Sequence, residues 1–205
     1  MPALIRCLIA CLLLIAAGAH AQQCADGVDN NSNGLIDLTD WYCKSAVDND
    51  ESSFLSGIPG DDNNGPATLD CWFDTNSGGG DDGCSIHACC GIDGACPADL
   101  APAQFNPAQC APSAQCVDNC LPQTKPGCDC FGCCEICKPG TGCVDVFVNP
   151  VVSPACSVDV LEDTGKCRRC VQNAACAVVA RIFADGFEAA PVQPSLRQAL
   201  DAAVR

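Results

Sequence analysis

The residues best suited to chemistry lie in Asp29-Asn30-Asn31-Ser32-Asn33-Gly34-Leu35-Ile36-Asp37-Leu38-Thr39-Asp40, where oxygen-bearing side chains recur at the offsets of a twelve-residue calcium loop. Asp29, Asn31 and Asn33 take positions 1, 3 and 5, whose side-chain oxygens converge on one point. Gly34 takes position 6, where the chain must turn through a conformation that is cheap only for glycine. Leu35 would lend its carbonyl at position 7, Ile36 would pack inward at 8, and Asp37 and Asp40 stand at 9 and 12. A hard cation asks for about six to eight oxygens, and these carboxylates, amides and carbonyl can supply them. A soluble Asn/Asp/Gly turn has the same composition, and that alternative stays open here.

A second run, from Asp74 through Asn76 to Asp81 and Asp82, precedes Cys84. Asp74 and Asn76 have the first two loop offsets, but Gly78 has no side chain to offer at the fifth, so a Gly-rich turn explains the run equally well. Cys128-Asp-Cys130-Phe-Gly-Cys133-Cys134-Glu-Ile-Cys137 packs six cysteines into ten residues, and Cys167-Arg-Arg-Cys170 adds a further C-x-x-C pair. In a reducing compartment these would suggest a zinc or copper thiolate site. An enzyme is not expected. His87 is the only histidine beyond residue 21, too few for a catalytic zinc, and no G-x-S-x-G nucleophile elbow occurs.

The stretch Cys24-Ala-Asp-Gly-Val-Asp29 through Asp40-Trp-Tyr-Cys43 resembles the cysteine-bounded C-x-D-G-x-D-N-x-x-x-G-x-x-D-x-x-D-x-x-C motif of secreted bacterial metal-binding proteins of the MopE type. It is also similar to the calcium loops of thrombospondin type 3 repeats and dockerins. The resemblance covers residues 24–43 only, in a single copy, where those families carry several. It implies calcium ligation by Asp29, Asn31, Asn33, Asp37 and Asp40, with Cys24 bridged to Cys43. Asp in place of Glu at the twelfth position shortens the reach for bidentate ligation, and the two amides lower the ligand charge. Both point to weak binding, in the ~10⁻⁴–10⁻³ M range of extracellular modules.

The scaffold that must position these groups is unusual. The chain has 205 residues and 22 cysteines, with 18 glycines and 14 prolines, and only ten aromatic side chains. That density is the signature of a disulfide scaffold rather than a core of Leu, Ile and Phe. The net charge of −15 excludes a phosphate-backbone binder, which needs a basic stripe. Residues 1–21 read as a secretory signal, one Arg before an apolar run and then Ala-His-Ala. Beyond it no stretch is long and apolar enough for a membrane anchor. A secreted chain, extracellular or periplasmic, meets oxidant, so its twenty remaining cysteines read as bridges. They are Cys24, Cys43, Cys71, Cys84, Cys89, Cys90, Cys96, Cys110, Cys116, Cys120, Cys128, Cys130, Cys133, Cys134, Cys137, Cys143, Cys156, Cys167, Cys170 and Cys176. Their pairing cannot be derived from spacing.

The expected architecture is a small disulfide-rich, loop-rich protein with few short β-strands, little helix and a single EF-hand-like calcium loop near its N-terminal end. Its divisions are a calcium-loop module (22–44), an acidic Gly/Asn-rich segment (45–83), a disulfide-rich domain (84–180) and a tail (181–205) with a short helix capped by Ser195. Alternation predicts a strand over Val144–Val148, in a hairpin with Ala155–Val160. The alanines of 171–183 favour helix there. The functional expectation is a calcium-binding structural, surface or adhesive protein with a protein or cell-surface partner. A thiolate metal-sequestering or redox protein and an exported inhibitor or toxin are the alternatives.

Overall fold

Ser113 opens the one α-helix among the described residues by accepting the amide of Cys116 at 3.0 Å, satisfying one of the donors a helix start leaves free. This helix, α1 (Ala114–Cys120), is seven residues long and gives way to a 3-10 turn at Leu121–Gln123, where Pro122 has no N–H to continue it. Its spacing matters more than its length. Cys116 and Cys120 stand four residues apart, hence on one face, and both are fully buried. They bridge to Cys84 and Cys71. The two ends of the 71–84 segment are thereby tied to one turn of helix.

The computed structural model describes residues 22–56, 67–74, 82–138 and 142–178. Along them run β1 (Thr68–Leu69), β2 (Ile86–His87), α1, β3 (Cys133–Lys138) and β4 (Gly142–Phe147), joined by loops and short 3-10 turns. β1 pairs with β2 and β3 with β4, both antiparallel. The β3–β4 hairpin is the wall between two clusters, since alternate residues of a strand face opposite sides. Cys133 and its partner Phe147 face a core with Leu69, Ile86, Leu100 and Phe131. Cys134, Ile136, Val146 and Val148 face the other, with Phe54, Trp72, Phe73 and Leu161.

All twenty described cysteines are joined in ten bridges: 24–43, 71–120, 84–116, 89–96, 90–110, 128–134, 130–176, 133–170, 137–143 and 156–167. The adjacent pairs Cys89-Cys90 and Cys133-Cys134 each bridge to two different partners. Such bridges are the chemistry of an oxidising, extracellular environment. Among the described residues no helix is long and apolar enough to cross a membrane.

Three local expectations differ from the structure. The strand at 144–148 forms as 142–147, but its partner is β3 and not Ala155–Val160. In the latter segment Val158–Val160 is a 3-10 turn, held where Cys156 bridges to Cys167 and where Tyr42 Oη accepts the Val158 amide at 3.0 Å. The helix expected from Val171 is, as far as Val178, a 3-10 turn at Ala174–Cys176 followed by pairing of Ala177 with Asp129. The bridge from Cys176 to Cys130, and backbone bonds between Val178 and residues 127 and 128, outweigh alanine's preference. The remainder of that stretch, the leader and the tail with its Ser195 helix lie outside the described residues. The acidic segment is also less separate than its composition suggests, because β1 and Cys71 join residues 67–74 to the disulfide-rich core.

Gly91 gives this packing a direct test. A Cβ there would lie 2.6 Å from Phe147 Cζ, and Phe147 is 1% exposed at the centre of its core. Gly91→Ala is expected to cost about 1–3 kcal/mol through overpacking, seen as a lower denaturation midpoint at unchanged slope. An unchanged midpoint would mean that the Phe147 ring moves aside at no cost.

Candidate metal centre

The 29–40 loop is wound by its own side chains. Asp29 accepts the amides of Asn33 and Gly34 at 3.1 and 2.9 Å. Asn31 and Asn33 each accept the amide two residues on, at 3.0 and 2.8 Å, the local bonds that make Asn a turn former. Gly34 has φ +89° with open space where a Cβ would stand, so glycine is required by backbone conformation and not by crowding. The coil delivers both side-chain amides to one atom. Asn31 and Asn33 donate to Asp40 Oδ2 at 2.9 and 2.7 Å. Asp40 is fully buried, and its Oδ1 accepts the Tyr42 amide at 2.8 Å. The side chains of Asn31, Asn33 and Asp40 therefore meet, Asp29 holds the turn between them through its backbone bonds, and Leu35 is half-buried.

Asp37 lies to the other side of the loop. Its carboxylate accepts the amides of Asp26 and Gly27 at 3.0 and 3.1 Å, and its φ is +52°. Ile36 does not pack inward as its loop position predicts. It is 46% exposed, because a turn in which Thr39 Oγ1 bonds both the amide and the carbonyl of Ile36 holds that stretch at the rim. The interior is filled instead by Glu51, which the loop spacing does not reveal. Glu51 is fully buried, accepts the amides of Asn30 and Asp37, and takes the Asn31 side chain on its carbonyl. Its only trace in the sequence is the acidic run Asp48-Asn49-Asp50-Glu51 just beyond Cys43.

Cys24 and Cys43 are bridged at the base of the loop. Asp48, fully buried, reinforces the base by accepting the amides of Lys44 and Asp50 at 3.0 Å each, while its carbonyl takes the Cys24 amide. From the disulfide-rich part comes Lys125, whose ammonium donates to the carbonyls of Asp40 and, at 2.7 Å, Cys43. Lys125 is half-buried as a residue, but its ammonium is desolvated, which lowers its pKa to about 8 against the raising pull of Asp40 and Asp48. Lys44, 4% exposed, lies 3.9 Å over the Trp72 ring. These contacts seat the loop module on the hairpin's second cluster.

The side chains that could hold a cation here are those of Asp29, Asn31, Asn33 and Asp40. The two amides present nitrogen to Asp40 Oδ2 while their oxygens accept the Asn33 and Leu35 amides, so offering oxygen to a cation beside Asp40 would require a half-turn of each terminal torsion and the loss of those bonds. Asp29, Asp40 and Glu51 each accept amides of the loop, and among the described residues no thiolate or imidazole joins these contacts. Oxygen-only sites of this kind suit calcium rather than zinc or copper.

Of the second run, Asn76 and Asp81 lie outside the described residues. Asp74 and Asp82 are 4% and 6% exposed and form a group with Cys71, their ligand atoms all within 4.8 Å of one another. Two further groups, His87 with Cys89 and Cys96 and Glu135 with Cys137 and Cys143, have the same drawback for a soft metal. Every cysteine in the three groups is bridged, so none offers a thiolate. His87 Nδ1 accepts the Cys89 amide at 3.1 Å, and its ring lies against Phe105. Asp129, whose pKa burial pushes up to about 6, accepts the amides of Phe131, Cys133 and Asn173 and ties three segments together.

Set beside protein-family models, curated proteins and solved structures, the chain matches none.

Proposed function

We propose that this chain is a secreted calcium-binding protein whose loop at 29–40 is organised by the ion, and that it serves as a structural, surface or adhesive component. The observation that carries the reading is the convergence of two side-chain amides on one oxygen of Asp40, a carboxylate with no exposed surface. The residue pattern of 24–43, the bridge at its base and the surplus of carboxylates support it. Calcium would neutralise that surplus and hold the module in one conformation, leaving the stapled remainder as a rigid carrier. The thiolate reading lacks a free sulfur among the described residues.

Calorimetric titration of calcium into the metal-stripped, fully oxidised protein is expected to show binding at about 10⁻⁴–10⁻³ M, with Asp29→Ala weakening it at least tenfold. No binding heat up to several millimolar, in protein whose bridges are intact, would refute the reading.

A further inference from the structure

The acidic segment before Cys84 has its own built geometry, separate from the 29–40 loop. Its ends are fixed by the bridges from Cys71 and Cys84 to Cys120 and Cys116, one helical turn apart on α1. That clamp brings Asp74 and Asp82, eight residues apart in sequence, to within 4.8 Å through their carboxylate oxygens. Asp82 Oδ1 accepts the Cys84 amide at 2.9 Å. Asp82 Oδ2 is buried and takes part in no hydrogen bond. A carboxylate oxygen removed from water and left without a donor is costly unless a cation faces it.

We propose that Asp74 and Asp82 form a second hard-cation site, one that takes calcium. Two carboxylates contribute up to four oxygens, water can complete the shell, and the bridged Cys71 sulfur serves as wall and not as ligand. The site is independent of the 29–40 loop, and it explains why Asp74 and Asp82 are buried instead of remaining solvated.

The test counts calcium equivalents by equilibrium dialysis on the oxidised full chain, its Asp82→Asn and Asp40→Ala variants and the double variant. Asp82→Asn keeps the acceptor for Cys84 N–H, and near-ultraviolet circular dichroism checks that it folds. Asp74→Asn gives the same readout should it not. Asp82→Asn is expected to lower the count by one whether or not Asp40→Ala does, which separates this site from the loop reading. An Asp82→Asn protein binding as many ions as its parent would overturn the proposal. So would a carbon-13 carboxyl signal showing Asp82 protonated at neutral pH and unmoved by calcium.

Discussion

Reduction by excess dithiothreitol at room temperature is expected to unfold the protein outright, seen as loss of near-ultraviolet dichroism and a red shift of Trp41 and Trp72 fluorescence. Among the described residues, sixteen of the thirty-two buried apolar ones are bridged cysteines, so the core and the cross-links are largely the same atoms. A bridge typically contributes ~2–4 kcal/mol, and two or three of that size match the whole margin of a small domain, about 5–15 kcal/mol. The described strands and helix left after reduction are too short to hold alone. The bridges should also differ among themselves. Cys71–Cys120 and Cys130–Cys176 span 49 and 46 residues, Cys89–Cys96 only 7. Loop-closure entropy makes each of the long ones worth roughly 1.5–2 kcal/mol more than the short one. Replacing Cys130 and Cys176 by Ala should therefore lower stability more than replacing Cys89 and Cys96. A melt unaffected by reductant would show that packing outside the bridges carries the fold.

Asp40→Ala is expected to have the largest effect of any single charge removal, on calcium affinity and on the module without calcium. In the ion-bound state it deletes the buried carboxylate on which the donor set converges, and the loss should exceed a hundredfold. Without the ion it leaves the Tyr42 backbone amide without its acceptor and removes one of the two acceptors of the Asn31 side chain, while the exposed Asn33 turns to water. A buried donor left unpaired costs about 1–3 kcal/mol, which should appear as fast hydrogen exchange confined to residues 29–42. The parent should gain about 2.7 kcal/mol of apparent stability at a calcium concentration one hundred times its dissociation constant, and the variant should gain none from this loop. Equal calcium-dependent stabilisation in both would place the ion elsewhere.

The loop shows how far spacing alone reaches. Asp29, Asn31, Asn33 and Gly34 act within five residues of one another through Asx turns and one left-handed glycine, so their arrangement is a local property legible in the letters. Asp40 is only a few residues further on, and the Cys24–Cys43 bridge implied by the motif is present. Asp37 shares the pattern yet turns to the amides of Asp26 and Gly27, and Ile36 faces out. Their direction depends on what fills the module's interior, and that is Glu51, eleven residues beyond the loop. Lys125 is further still, 85 residues from the Asp40 carbonyl it reaches. No periodicity carries such a contact.

By itself the sequence determined the class of molecule: a chain so rich in cysteine and aspartate and so poor in aromatics must rely on cross-links and turns, because it cannot bury enough apolar surface otherwise. It also determined the oxygen-lined turn at 29–34, since those bonds close over a few residues. Only the tertiary structure decided which sulfurs join, which carboxylates are buried and which strand pairs with 142–147. Each of these is a long-range closure whose free energy depends on everything packed around it. The clamp on Cys71 and Cys84 is the plainest case: it exists because Cys116 and Cys120 fall on one face of a helix that only the folded chain supports.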